Sequence, residues 1–414
     1  MAVEERNCRF CGNSLHLSVA DLGMSPVSND NIKSEKLSAM EPFYPLHAYV
    51  CEHCWLVQLE QFQAADEIFS DEYAYFSSYS KSWLEHARQY AVKVTERFNI
   101  GSDSQVVEIA SNDGYLLKNF VERGVKVLGV EPCANVARAA EEIGIPSLVK
   151  FFGVNTAEEM VEDGIRADLL VGNNVLAHVP ALNDFVQGMK ILLAPGGVIT
   201  MEFPHLRKLI ELNQFDTIYH EHFSYFSLVT VEKVFAAFGL VIFDVEEIPT
   251  HGGSLRIYAR HDSDTSKPVL EAVNTLRDQE TEAGFTGADI YRSYAEKVKE
   301  TKRRLLSFLI EVKGQGKTIV GYGAPAKGNT LLNYCGIRND FVDYTVDLSP
   351  HKQGLFLPGT HLPIFSPDMI SETKPDYVLI LPWNLKEEIM QQMDHIREWG
   401  GQFVVPIPEL QVFK

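Results

Sequence analysis

Apolar residues along this chain fall into short unbroken runs that end in polar turns, and into longer stretches where they recur every three or four positions. The first pattern reads as buried strands and the second as helices with one apolar face. From Trp83 to Phe98 the steps are helical. Ser104 to Tyr115 reads as a buried strand, a sharp loop and a helix start, and Val125 to Glu131 is a further strand ending in an acid before Pro132. Asp168 to Val179 is a strand running into a polar turn. Leu193 to Glu202 is a helix end, a Pro-Gly-Gly turn and another strand, and a helix is expected around Val229 to Phe238. Asp262 to Pro268 is a polar linker, followed by a long helix from Ala288 to Lys313.

Lys317 to Thr330 repeats the strand, glycine-rich loop and helix sequence. Strands at Phe341–Asp347, Tyr377–Pro382 and Phe403–Pro406, with a helix at Leu385–His395, complete a parallel α/β unit of Rossmann type. Its loop lacks G-x-G-x-x-G spacing and no clear ribose acid follows, so it fits a degenerate nucleotide fold or a structural domain with a glycine turn. Lys327 with its neighbouring amides suits a phosphate. Residues 20–48, punctuated by Pro26, Pro42 and Pro45, read as loop.

With 414 residues, a prior of ~150 per domain gives two or three domains. The expected division is a metal-binding module over 1–70, a cofactor sheet over 71–262 with a helical bridge at 71–100, and the second α/β unit over 263–414. A net charge of −19 argues against a nucleic-acid partner, which needs clustered Lys and Arg, and means that an anionic substrate needs a local basic pocket. The acidic start Met-Ala-Val-Glu-Glu-Arg has no apolar run, and no stretch approaches ~20 unbroken apolar residues, so the expectation is a soluble cytoplasmic protein without membrane contact.

Four of the six cysteines form two C-x-x-C pairs, Cys8/Cys11 and Cys51/Cys54. That spacing turns two thiolates toward one ion, and four thiolates close a tetrahedral shell, so the site reads as structural zinc. Asp71 to Lys81 carries Tyr73, Tyr75, Tyr79 and Lys81, which fits either a lid over a sugar or nucleotide or an aromatic helix start. Gly114 lets backbone approach a ligand, and Glu131 stands where an acid commonly holds a ribose diol, which fits a dinucleotide or S-adenosylmethionine. The loop is E-x-A-x-N-D-G rather than G-x-G-x-x-G, so a cradled diphosphate is poorly supported. Asp216 to Tyr225 is the densest chemistry: Tyr219, His220, Glu221, His222 and Tyr225 within ten residues. Imidazoles two apart point the same way only on a strand. The stretch suits proton transfer, or is a polar loop beside the sheet.

The strand series resembles the class I S-adenosylmethionine-dependent methyltransferase fold, whose sheet includes an antiparallel seventh strand. Leu240–Glu247 and Ser254–Arg260 fit its sixth and seventh strands, joined by the His251-Gly-Gly-Ser-Leu-Arg256 connection. Over its whole length the chain resembles the bacterial deoxysugar C-methyltransferases that act on nucleotide-linked 4-keto sugars, through Y-H-E-H, N-V-x-A-H-V, H-G-G-S-x-R and G-Y-G-A-x-x-K-G-N. The resemblance implies methylation of the carbon beside a ketone, commonly C3 of a thymidine-diphosphate sugar. It implies His222 as base, Glu221 to orient it or a neighbour, and Tyr219 and His220 as donors to the ketone oxygen. Tyr73 and His178 would support the enolate or order the sugar, unless His178 is a packed core histidine. Glu108, Asn112, Asp113, Gly114, Glu131 and Asn174 are the expected cofactor residues. Tyr79, Lys81, Arg256, Lys327 and Asn329 are the substrate candidates, the cations because a diphosphate needs them. A monomer or weak homo-oligomer is expected. The alternatives are an O- or N-methyltransferase of a small acceptor, or methylation at C5.

Overall fold

The computed structural model describes residues 6–64 and 76–414. Strands β1 (Leu17–Ser25), β2 (Tyr44–Val50) and β3 (Val57–Leu59) form an antiparallel N-terminal sheet. The loop expected over 20–48 is therefore strand at both ends. Two register irregularities and Gly23 at φ 75° break the alternation of edge strand β1, and Pro45 sits at the outer end of β2. Such interruptions hide a strand from a period-two search.

Helix α1 (Lys81–Phe98) begins where Ser80 Oγ accepts the Trp83 N–H at 3.3 Å and stops at Asn99 in the left-handed region, φ 53°. It buries Ala87, Tyr90, Ala91 and Val94 on one face. The central unit then runs β4 (Gln105–Ile109), α2 (Lys118–Val121), β5 (Lys126–Val130), α3 (Ala134–Glu142), β6 (Ser147–Leu148), α4 (Val154–Glu162) and β7 (Ala167–Asn173). It continues α5 (Leu182–Leu192), β8 (Leu193–Pro204), α6 (Leu206–Glu211), β9 (Ser224–Tyr225), α7 (Leu228–Ala237), β10 (Leu240–Ile248) and β11 (Ser254–His261). The seven-stranded sheet has the order β10-β11-β8-β7-β4-β5-β6, with β11 antiparallel to both neighbours. Strand β9 is absent from this sheet. It pairs with β3, so the segment after β8 crosses into the N-terminal sheet.

Helix α8 (Glu271–Glu282) follows; with only Val273, Leu276 and Glu280 buried, it showed little apolar periodicity. Helix α9 (Ala288–Gly314) leads to β12 (Ile319–Tyr322), α10 (Ala326–Cys335), β13 (Thr345–Val346), β14 (Ile364–Phe365) and α11 (Asp368–Thr373). The chain ends with β15 (Tyr377–Ile380), α12 (Lys386–Gln392), β16 (Gln402–Val405) and β17 (Gln411–Phe413). The order β14-β13-β12-β15-β16-β17 is parallel except for β17. The strand expected at 341–347 contracts to β13, and the helix expected at 385–395 is α12 followed by a 3-10 turn at Asp394–Trp399.

Two cores tie these units together. One joins the N-terminal sheet through Val19, Leu46 and Ala48 to α9 and the C-terminal sheet, with Trp55 and Tyr291 stacked at 6.1 Å. The other joins Cys8, Cys51 and Cys54 to the methyltransferase-like sheet through Leu176, Phe203 and Phe226. Among the described residues no helix is long and apolar enough to cross a membrane.

Candidate active site

The loop after β4 is built from left-handed backbone: Ala110 at φ 56°, Asn112 at 50° and Gly114 at 76°. The Ala110 N–H donates to Val130 O at 2.8 Å, which presses the loop against β5. A Cβ on Gly129 would stand 2.3 Å from Ser111 Oγ, so only glycine permits that approach. Glu131, at the end of β5, accepts the N–H groups of Asn112 and Cys133 at 2.9 Å each. The Cys133 thiol also bonds this carboxylate. Glu108 is fully buried, and burial first, then the charge of Glu131, hold its carboxyl well above the usual range. Asn112 Oδ1 and Asp113 Oδ2 accept the Ser77 and Ser78 N–H groups at 2.8 and 3.1 Å, fastening residues 77–79 over the loop.

Beyond β7, Asn174 at φ 53° donates its N–H to Glu202 O at 2.7 Å and its side-chain NH₂ to His251 Nε2 at 3.1 Å. Ser111 Oγ, Asp113 Oδ1, both amide atoms of Asn173 and Asn174 Oδ1 are buried with no hydrogen-bond partner. Buried polar atoms are normally satisfied. Such a group at the carboxyl ends of β4 and β7 marks a polar ligand's seat, and its donor and acceptor set fits the amino acid and nucleoside parts of S-adenosylmethionine.

The stretch from Asp216 to Tyr225 lies beside this seat. Upstream, His205 Nε2 bonds Glu280 at 2.6 Å, and the same carboxylate accepts the Leu228 and Val229 N–H groups at the start of α7. The segment between is thereby pinned at both ends. Residues 218–223 form a turn rather than a strand, so the two imidazoles diverge. His222 Nδ1 donates to Thr217 O at 2.8 Å, and the Tyr219 hydroxyl donates to His222 Nε2 at 2.8 Å. A carbonyl only accepts, so Nδ1 carries the proton and Nε2 presents the lone pair. Burial first, then His178, Lys327 and His251, hold the His222 pKa well below 6.5. His178 packs against it edge-on at 4.6 Å and bonds the Glu221 main chain; burial lowers it to about 4.

His220 instead faces the N-terminal sheet, at 3.2 Å from Pro45 O and edge-on to Tyr44 at 5.9 Å. The Glu221 carboxyl contacts neither histidine: it accepts from Asn29 Nδ2 at 2.7 Å, and burial raises it to about 7. Thus His222, Tyr219 and His178 are brought together, whereas His220 and the Glu221 carboxyl lie outside that group. Tyr73 lies outside the described residues.

The C-terminal unit closes the other side. Trp383 Nε1 donates to the fully buried Asp216 at 2.7 Å, and burial raises Asp216 to about 6. Lys327 Nζ lies 3.3 Å from His251 O, 3.2 Å from Asn384 Oδ1 and 4.7 Å over the Trp383 ring. Asn329 is 1% exposed in α10 with its Nδ2 unpartnered. Tyr79 is 67% exposed and meets His351 Nε2 at 3.3 Å, and Lys81 is exposed beside it. Arg256 differs from expectation. Its guanidinium is bound by Glu202 at 2.5 Å and Glu246 at 3.2 Å and lies over the Tyr90 ring, 4% exposed, so its charge is already matched inside the fold.

His251 and Trp383 were not singled out from the sequence. The H-G-G motif pointed to the first, whose φ of 55° is unusual for a side chain with a Cβ. Trp383 is 167 positions from Asp216 and carried no local signal.

In the N-terminal module, Cys8 and Cys54 Sγ are 3.6 Å apart, Cys11 and Cys51 Sγ 3.5 Å, and the four sulfurs lie within 4.8 Å of one another. Tetrahedral Zn–S bonds of ~2.3 Å require sulfur separations of this size. The four residues fit a zinc ion.

Three family models match in chain order: "Putative zinc binding domain" over 8–69, "Methyltransferase domain" over 83–245 and "C-methyltransferase C-terminal domain" over 249–408. The chain is 35% identical over 405 residues to the C-methyltransferase NovU of Streptomyces niveus, covering 98% of this chain and 96% of that one. A shorter match, 33% over 97 residues, is to the ubiquinone biosynthesis O-methyltransferase of Methylobacterium sp. (strain 4-46), covering 22% of this chain and 38% of the relative. Among solved structures, magnesium protoporphyrin IX methyltransferase of Synechocystis PCC 6803 is 13% identical with a TM-score of 0.36, covering 47% of this chain and 90% of that one. From the near-full-length relative, the three models in order and the seat beside β4, the chain belongs to the C-methyltransferase family, as an S-adenosylmethionine-dependent enzyme with an N-terminal zinc-binding domain.

Proposed function

We propose that the acceptor is a thymidine-diphosphate 4-keto deoxysugar, methylated at C3 beside its ketone. The observation that supports this most is the state of His222: neutral, locked in one tautomer by Thr217 O, with Nε2 aimed at a phenol. A carbon acceptor needs a base, because an unactivated C–H is not a nucleophile, whereas the enolate left by proton removal is.

In this reading His222 Nε2 removes the proton α to the ketone. The Tyr219 hydroxyl leaves Nε2 to donate to the ketone oxygen, where negative charge develops. His178 shields the pair from water and keeps the His222 ring in place. Glu221 acts through its main chain, which receives His178, and through Asn29. Glu108, Asn112, Asp113, Gly114, Glu131 and Asn174 would hold S-adenosylmethionine, which supplies an electrophilic methyl when bound. In this reading Tyr79 and Lys81 at the surface, and Lys327 and Asn329 in α10, are the groups left to meet the nucleotide part, and Arg256 braces the sheet.

The test is to incubate the enzyme with methyl-labelled S-adenosylmethionine and a panel of thymidine-diphosphate keto sugars, then locate the label by NMR. The expected result is label at C3, with deuterium exchange at that carbon in heavy water. Label at C5, oxygen or nitrogen sinks the proposal. His222→Gln should lower kcat roughly 100- to 10,000-fold while leaving cofactor affinity nearly unchanged.

A further inference from the structure

Between two of the zinc-site cysteines stands a residue with no part in metal binding. Arg9 extends from the Cys8–Cys11 turn into the central domain. Its Nη1 donates to Pro180 O at 3.2 Å, two residues after His178. Its Nη2 donates to Leu59 O, at the end of β3. The guanidinium carbon lies 5.4 Å over the Phe223 ring, next to His222. One side chain therefore touches the turn carrying His178, the turn carrying His222 and the strand between them and the metal site.

The surrounding main chain repeats this link. The Leu59 N–H donates to Phe223 O at 3.0 Å, and the Phe223 N–H donates to Ala177 O at 2.7 Å. Gln58 accepts the Arg9 N–H at 2.9 Å and donates to Cys8 Sγ at 3.2 Å. Asn183, at the start of α5, donates to Phe10 O at 2.9 Å. The cysteine turn is thus an anchor that meets both catalytic turns from one side.

The geometry points to a role for this link in catalysis: we propose that Arg9 is a positioning residue for methyl transfer, holding the His178 and His222 turns in register against the zinc module. A planar, always-charged fork reaching two carbonyls while covering an aromatic face does what lysine cannot. Displacement of catalytic groups by about 1 Å costs on the order of 100-fold in rate.

The proposal rests on His222 and His178 acting as described above, so its test carries a readout that needs no substrate. In Arg9→Gln, hydrogen–deuterium exchange should accelerate at the amides of His178, His222 and Phe223, while Gly12 and Trp55, whose amides close the two cysteine turns, stay protected and one zinc per chain is retained. Binding of S-adenosylhomocysteine should stay within about 3-fold of wild type, kcat on a thymidine-diphosphate 4-keto sugar should fall about 100-fold, and Arg9→Lys should recover part of that loss. Unchanged exchange at 178, 222 and 223, or exchange that rises together with zinc loss, overturns the proposal. A wild-type enzyme inactive on every keto sugar refutes the substrate reading and leaves the exchange test standing.

Discussion

At residue 222 a neutral imidazole is made by its neighbours, and the pH profile should carry their mark. Burial and the nearby His178, Lys327 and His251 all disfavour its protonated form, so its folded pKa lies below 6.5. As the proposed base, His222 must be in its neutral form. The expected acid limb of kcat/KM therefore lies below 6.5, activity holding as pH falls through that value, and His222→Gln should remove the limb along with most of kcat. A limb at or above 6.5 in the wild type contradicts this assignment. The sequence showed the density of the Tyr219–His222 stretch but could not rank its two histidines. What ranks them is the turn at 218–223, which sends His220 toward Pro45 and His222 toward Thr217 O and His178. Likewise the composition of Arg256 suggested an anion, and only the fold shows Glu202 and Glu246 already in place. Charge partners distant in sequence are invisible to spacing.

At the scale of elements, the loop between β4 and α2 depends on a residue outside it. Gly129 in β5 faces Ser111, whose Oγ and Cβ would lie 2.3 and 2.9 Å from an added methyl. Because Ser111 Cβ is fixed to the main chain, the loop itself must shift. Gly129→Ala should cost about 1–3 kcal/mol of stability and weaken S-adenosylmethionine binding at least 10-fold. Gly101→Ala, with nothing within 4 Å, should do neither. Calorimetric titration of both variants decides it, and equal affinities would refute the tight-approach argument. Strands β4, β5, β7, β8, β10 and β11 were legible because buried strands read as apolar runs. Strands β1 and β2 were not: a half-exposed edge strand with two irregularities, and a strand opening on Tyr44-Pro45, break the alternation that marks a strand. Helix α8 was missed for the converse reason, having three buried residues in 12.

Across the whole molecule, the stretch that carries the proposed base is clasped between units far apart in sequence. On the C-terminal side the clasp is Trp383 on Asp216. Trp383→Phe keeps an aromatic side chain but trims the indole to a phenyl ring and deletes the donor, leaving a fully buried carboxyl with an unmet acceptor at a cost of at least about 1–3 kcal/mol. Urea unfolding should show that loss, and kcat should fall while cofactor affinity stays near wild type. A variant with unchanged stability and turnover would mean the contact carries nothing. None of this could be inferred from local pattern, since composition and periodicity announce units but not their contacts. Strand β9 gives the clearest instance, sitting next to His222 yet paired with β3 of the zinc-binding sheet. The consequence is for recombination between relatives. A crossover placed in the α1 region, at the apparent border of the first two domains, would give the hybrid a β3 from one parent and a β9 from the other. Exchanges of acceptor specificity should therefore carry residues 6–64 together with 205–226 from the same parent, as one inheritance block split in sequence but not in space.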